Sequence, residues 1–414
     1  MTALALTEAD LLRVSRDLAY SELTSMPGLK AKLSPRIAPA GQTLTWAADA
    51  LDIDSLARMQ LATAGAVWCN AYDAGFEDLF LAKRTAADWA VVMHRARAAG
   101  AAQFTFTTSG STGARKHIRH REDLLALEAQ AWAQVLGPVK RVVVLCPTHH
   151  IYGFIWGVLL PIALGVPVID ADVSDLPTLQ AHDLVVAVPD QWAWLSASTR
   201  AWPAHVQGVS STAPMPAAVH EAMTLAHGAP EAHDAANDHG PRLERLLQIY
   251  GSSETAGLAW RNSAAGAYAL APGRLRNAAD GIDLLLPSGT RQAMAVQDEL
   301  AWTGPDTFEL LRRSDESVQV GGHNVSPAWV VAQLQAHSAV KEAAVRLTTD
   351  TTPAKLKAFI VLQPAAQANT TPQRTDLEQW INATLPWYAT FSSITYGSAL
   401  PRNAMGKASD WQPN

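Results

Sequence analysis

Residues 105 to 120 read TFTTSGSTGARKHIRH, a stretch in which hydroxyl side chains surround Gly110 and Gly113. A basic cluster follows at once: Arg115, Lys116, His117, Arg119 and His120. Backbone amides uncrowded by glycine, hydroxyl donors and a lysine suit an anion such as the β- and γ-phosphates of a nucleotide. The Walker pattern fails, because Arg115 stands where its second glycine belongs. The dinucleotide pattern G-x-G-x-x-G and the serine-hydrolase elbow G-x-S-x-G are absent here as well. The competing reading of the same residues is a Ser/Thr-rich surface turn.

Six further motifs follow in order: PTHHIYGF (147–154), GVSSTAPMP (208–216), QIYGSSETAG (248–257), TGPD (303–306), LLRRSDESVQVGGHNVSP (310–327) and LPRNAMGK (400–407). Together with the loop they resemble the acyl-adenylate-forming superfamily: acyl-CoA synthetases, nonribosomal adenylation domains and coumarate-CoA ligases. The family loop runs T-S-G-S-T-G-x-P-K-G; Arg115 replaces its proline and His117 its last glycine. The resemblance implies that ATP lies on Thr108, Ser109, Gly110, Ser111, Thr112, Gly113 and Lys116. Thr212 and Ala213 would sit beside adenine, with Tyr250 stacked on it and Gly251 and Ser252 in the same turn. Ser253, in place of the usual threonine, would meet the α-phosphate, and Glu254 would hold Mg2+. Asp306 would bind the ribose, although Pro305 is inserted before it. Arg313 would reach the ribose or phosphate, Asp315 would be the hinge of a lid, and Lys407 the adenylation lysine.

The chemistry implied makes physical sense of these residue types. A carboxylate attacking the α-phosphate of ATP gathers negative charge in the transition state. Mg2+ on Glu254, donors from the Ser/Thr loop and the cation Lys407 would stabilise that charge. No general base is needed, since the acid is ionised near neutral pH. A thiol then attacks the mixed anhydride after the C-terminal domain swings about Asp315 and presents the VGGHNV loop.

Elements that must position these residues can be read from periodicity. Up to about residue 98 the patterns are helical: TEADLLRVSRDLAYSEL with a Thr N-cap, DSLARMQLATAGAVWCNAY, and TAADWAVVMHRARAA. From 100 to 314, strands such as AAQFTFTT, RVVVLCP and DLVVAVP alternate with helices, the signature of an α/β sheet. The remainder mixes short strands with a helix at PAWVVAQLQAH. The expected fold is an α/β adenylate-forming core (99–314) with a small α+β C-terminal lid domain (315–414). An N-terminal helical, carrier-protein-like region (1–98) precedes them.

That last region rests on TLTWAADALDIDSLARMQLATAG (43–65), which resembles an acyl carrier protein around its D-S-L site. In carriers the serine, here Ser55, takes a phosphopantetheine arm; the plainer reading is a helix start with Asp54 as N-cap. His150, Tyr152 and Trp156 would line the acid pocket, as the coumarate-CoA ligase version of this segment implies. Trp156 stands where a smaller residue is usual, so it either shortens the pocket for aromatic acids such as hydroxybenzoate or packs the core. Shortened members of the family resemble the acid:carrier-protein ligases of bacterial aryl-polyene and xanthomonadin-type pigment clusters. The implied partners are a small aromatic acid, 3-hydroxybenzoate or a hydroxycinnamate, and an acyl carrier protein. Free CoA as acceptor and an inactive carrier-docking relative are the alternatives. Retention of Lys116, Glu254, Arg313 and Lys407 speaks against the inactive one.

Composition narrows the class further. The 414 residues allow two or three domains, and 32 basic against 38 acidic residues give −6, no basic field for nucleic acid. Cys69 and Cys146 match no metal or redox spacing, which points to a reducing compartment. The longest apolar stretch, IYGFIWGVLLPIALGVPVI (151–169), is broken by prolines and glycines and reads as buried chain instead of a membrane span. With no signal peptide at the N-terminus, a soluble cytoplasmic protein is expected.

Overall fold

A computed structural model describes residues 4–26, 44–46, 53–109, 115–198, 202–224, 243–313, 317–321, 323–348, 355–363, 370–401 and 410–411. Two compact units emerge. The first comprises Met1–Thr107, His117–Val296 and Leu300–Glu309, the second Thr108–Lys116, Gln297–Glu299 and Leu310–Asn414.

The first unit begins with four α-helices: α1 (Glu8–Ser25), α2 (Ser55–Trp68), α3 (Glu77–Ala82) and α4 (Ala86–Ala98). Each long one starts on a side-chain cap. Thr7 and Asp10 form a capping box on α1, Asp54 Oδ1 accepts from the Ala57 amide at 2.7 Å, and Thr85 caps α4. The expectation for residues 1–98 is a carrier-like region of its own. Their apolar faces instead share one core with the strands and helices beyond residue 100: Leu11 and Val14 of α1, Trp68 of α2 and Trp89 of α4 belong to the cluster that holds Phe104, Trp132 and Phe154. The sheet layer supplies the surface against which their apolar stripes are buried.

Strands β1 (Gln103–Ser109) and β2 (Arg115–Arg121) pair in a two-stranded sheet of their own. The AAQFTFTT strand thus stands outside the main sheet, and the basic cluster after the Ser/Thr loop is its strand partner. Helix α5 (Glu122–Val135) comes next, then β3 (Arg141–Val144). The apolar stretch forms one buried helix, α6, in three pieces: Ile151–Phe154, a π-helical turn Ile155–Leu159, and Leu160–Leu164. It leads into β4 (Val168–Asp170). Among the described residues no helix is long and apolar enough to cross a membrane.

The main sheet adds β5 (Asp183–Ala187), α7 (Pro189–Ser196), β6 (Gln207–Ser210), α8 (Ala217–Met223), β7 (Arg245–Ser252), β8 (Ala256–Arg261) and β9 (Tyr268–Leu270). A small sheet of β10 (Arg274–Arg276), β11 (Ile282–Leu285) and β12 (Arg291–Ala293) stands apart. With β13 (Asp298–Trp302) and β14 (Thr307–Arg313), the main order is β13-β14-β9-β8-β7-β6-β5-β3-β4. Strands β3 to β7 are parallel and β7 to β9 antiparallel. The period of two sends alternate residues to opposite faces. Val142, Val144, Leu184 and Val186 enter the core shared with the N-terminal helices, whereas Val143, Val185 and Ala187 meet Trp192 and Leu195 of α7. Burial on both faces explains why these strands read as continuous apolar runs.

The second unit holds a hairpin of β15 (Val318–Val320) and β16 (His323–Val325), turned at Gly321 with φ +54°. Helix α9 (Pro327–Ala336) and a three-stranded sheet of β17 (Val340–Leu347), β18 (Leu356–Leu362) and β19 (Phe391–Gly397) complete it with α10 (Thr370–Thr384). Val325, Val330, Leu334, Ile360, Leu377 and Ile381 form its core. This matches the small α+β domain expected at the C-terminal end.

Candidate active site

Several of the predicted site residues stand on turns that follow strands of the main sheet, the usual place for ligands in sheets of this kind. The β7–β8 turn is the most tightly built. Ser252 Oγ accepts from the amides of Glu254 and Thr255, each at 3.2 Å, and Thr255 Oγ1 accepts from the Ser252 amide at 3.0 Å. Ala256 is held at φ +56°, an uncommon conformation for a residue with a Cβ. Gly251 has no substitute here, because a Cβ on it would lie 2.0 Å from the Ala256 carbonyl oxygen. Ser253 sits at the tip, and its carbonyl accepts from His120 Nε2 on β2 at 2.7 Å.

Behind the turn lies a charge pair that sequence reasoning missed. Glu128 of α5 accepts from the Gly257 amide at 2.8 Å and from Trp132 Nε1 at 3.1 Å, and pairs with Arg274 Nη2 at 2.6 Å. Both partners are buried. Only a hydrogen-bonded pair tolerates such burial. The signal was a glutamate on the apolar stripe of α5, between Leu125 and Trp132. Glu254, His120, Glu128, Arg119, Arg274 and Gln292 line a cavity of about 240 Å³.

Next to this turn, Ser211 Oγ donates to the Ile249 carbonyl at 3.0 Å and fixes the segment after β6. Thr212 there has φ +81° and is exposed, beside Ala213. Strained non-glycine backbone at a loop tip marks a place whose shape matters. The Tyr250 ring lies 5.7 Å from Phe308 and 5.8 Å from Tyr268. Asp306 is exposed two residues before Phe308, and its carbonyl accepts from the Leu270 amide at 2.8 Å. Thr212, Ala213, Tyr250, Gly251, Ser252, Ser253, Glu254 and Asp306 therefore stand on adjoining strand ends and turns.

The His150 segment comes after β3 and is tied to the N-terminal helices. Asp17, buried in α1, accepts from the amide and hydroxyl of Thr148 at 2.7 and 2.8 Å. Trp68 Nε1 donates to the His149 carbonyl at 3.0 Å. His150 is exposed, with its ring 4.0 Å between centroids from that of His149. Desolvation lowers its pKa, with Asp17 pulling the other way.

Tyr152 and Trp156 lie deeper. The buried Tyr152 hydroxyl donates towards the carbonyls of Ala187 and Val209 at 3.0 and 2.9 Å, joining the ends of β5 and β6. Burial pushes its pKa well above the usual value. Trp156 is 1% exposed, with its ring 5.2 Å from Trp132, surroundings that fit the core-packing alternative. Lys116 is exposed on β2, and Ser55 is exposed at the first position of α2. Gly110, Ser111, Thr112, Gly113, Asp315 and Lys407 lie outside the described residues, as do the side chains of Thr108, Ser109 and Arg313.

The donor set suits Mg2+. No group of three or more His, Cys, Asp or Glu stands together among the described residues. Mg2+ characteristically takes one or two carboxylates and leaves the rest of its shell to phosphates and water. Glu254, opening on the cavity beside three arginines, offers such a carboxylate.

Residues 47–286 match the family model of the AMP-binding enzyme, and residues 330–407 that of the AMP-binding enzyme C-terminal domain. The chain is 33% identical over 403 residues to a 4-coumarate–CoA ligase of Halorhodospira halophila, covering 96% of this chain and 98% of that one. It is 35% identical over 376 residues to a 4-coumarate–CoA ligase of Rhodobacter capsulatus, covering 88% and 91%. The fold resembles the amide bond synthetase of Marinactinospora thermotolerans, with a TM-score of 0.55 at 17% identity over 73% of this chain and 67% of that one. The o-succinylbenzoate CoA synthetase of Bacillus subtilis gives 0.52 at 19% identity over the same shares. The β7–β8 turn, the neighbouring strand ends and the small C-terminal domain are thus parts of one adenylate-forming architecture, and the chain belongs to the AMP-binding enzyme family.

Proposed function

We propose that the protein activates a small aromatic carboxylic acid, of hydroxybenzoate or hydroxycinnamate type, with ATP as an acyl-adenylate and transfers it to a phosphopantetheine thiol. The observation that carries this reading is the near end-to-end likeness to 4-coumarate–CoA ligases, combined with a turn that sets Glu254 at a cavity also lined by Arg119, Arg121 and Arg274. Mg2+ bound with the nucleotide would neutralise charge on its phosphates. Glu254 would hold it, Ser253 would contact the α-phosphate, and the exposed Thr212 and half-buried Ala213 would flank the adenine. Tyr250, braced by Phe308 and Tyr268, offers a flat face for the base. Lys116, Arg313, Asp306 and Lys407 keep the roles that their motifs imply, with Asp315 as hinge.

CoA is the acceptor the relatives favour. A carrier protein is the second reading, and exposure of Ser55 on a capped helix start keeps self-loading open to test. Incubation with ATP, a panel of hydroxybenzoates and hydroxycinnamates, and either CoA or a holo carrier protein decides the matter by mass spectrometry. Aryl-CoA as the sole product supports CoA; an aryl load on the carrier, or on a phosphopantetheine arm at Ser55, supports the second reading. Failure to release pyrophosphate with every acid in the panel sinks both.

A further inference from the structure

We propose that His120 is a positioning residue for Glu254, acting through one clamped peptide group. The inference rests on the reading of Glu254 as the Mg2+ ligand. The peptide that joins Ser253 to Glu254 is held at both ends. Its carbonyl oxygen accepts from His120 Nε2 at 2.7 Å, and its amide nitrogen donates to Ser252 Oγ at 3.2 Å. A carbonyl can only accept, so the His120 tautomer carries its hydrogen on Nε2. A peptide group is planar, so fixing both its oxygen and its nitrogen fixes the plane. That plane sets the direction in which the Glu254 side chain leaves the backbone.

The imidazole is itself braced. The Phe106 ring of β1 lies 5.8 Å from it, and Phe106 is buried against Trp68 and Phe154. His120 and Glu254 line the same cavity, so the clamp stands at its wall. Neither strand alone could hold the turn this way. The β7–β8 hairpin satisfies the inner side of its own turn, whereas the Ser253 carbonyl at the tip needs a donor from outside.

Two variants separate the hydrogen bond from the packing. His120→Phe keeps a ring against Phe106 and removes the donor, while His120→Gln keeps a side-chain N–H at similar reach. One readout is hydrogen–deuterium exchange of the Glu254 and Thr255 amides. The other is the Mg2+ concentration that half-saturates ATP–pyrophosphate exchange. Loss of one such hydrogen bond should speed amide exchange about tenfold in His120→Phe and raise the Mg2+ requirement by a similar factor. Turnover at saturating Mg2+ should stay near wild type, and His120→Gln should restore both readouts. Unchanged amide exchange in His120→Phe overturns the inference, because the clamp then does not hold the turn. Faster exchange with an unmoved Mg2+ requirement overturns it too, since the turn would then not set the carboxylate. Should the wild type itself show no pyrophosphate exchange with any acid, the proposed function fails instead. Calorimetric binding of Mg2+ with a non-hydrolysable ATP analogue in the same three proteins then decides the positioning role by the same tenfold criterion.

Discussion

Glu254 depends on the residues that surround its turn more than on its own conformation. Ser252 and Thr255 close the turn from inside, and Gly251 and Gly257 leave room for backbone and for Glu128. Under the proposed function Lys407 would serve the same chemistry. Lys407→Ala should reduce pyrophosphate exchange on the order of 10²-fold, the scale of losing a charged group that stabilises a transition state. Thioester formation from supplied acyl-adenylate should continue almost unchanged. Parallel assays of the two half-reactions check this, and equal losses would remove Lys407 from the adenylation step. Trp156 makes a different kind of claim. Its ring is buried against Trp132, so Trp156→Ala should cost about 3–5 kcal/mol of stability in denaturant titrations. A shift in relative kcat/KM from benzoate towards cinnamate analogues would instead assign the ring to the acid pocket.

Among elements, α1 is the one whose role exceeds its sequence signal. It sends Arg13 and Arg16 to Asp170 at the end of β4 and Asp17 to Thr148. Burial alone would raise the Asp170 carboxyl, but the hydrogen bonds and charges of Arg13 and Arg16 outweigh it and hold its pKa at about 2. An unfolded aspartate titrates near 3.9, so the folded value is depressed. The stabilisation is therefore complete above about pH 4 and is lost as pH falls towards 2, a total of about 2.5 kcal/mol. Denaturation midpoints measured from pH 5 to pH 2 should fall steeply in the wild type. Asp170→Asn should flatten that dependence and lower stability at neutral pH. An equally steep profile in the variant would show that other carboxylates govern acid unfolding.

At the scale of the molecule, the N-terminal helices and the sheet share one apolar core. Deletion of residues 1–98 should therefore expose Phe104, Phe154 and Trp132 and leave an aggregated or molten remainder. Size-exclusion chromatography and near-ultraviolet circular dichroism report this directly. A monomeric remainder with native near-ultraviolet signal would mark residues 1–98 as a separable domain. The near end-to-end match to 4-coumarate–CoA ligases fits a first segment that belongs to the enzyme's own architecture.

The sequence by itself carried the site's chemical types. Motif order, the hydroxyl-rich loop, and Glu254 and Lys407 at their spacings depend on local residue identity, which is why the family was legible from the residues alone. The parallel strands were equally legible, since Val142 to Val144 and Leu184 to Ala187 are apolar on both faces. Other features came only from the tertiary structure. That β1 pairs with β2, that α1 braces the His150 segment, and that Glu128, Arg274 and His120 meet around the β7–β8 turn are contacts between residues far apart in sequence. No local pattern encodes such partners. They arise when amphipathic helices bury their apolar stripes against a sheet, and buried charges must then find each other or not be buried at all.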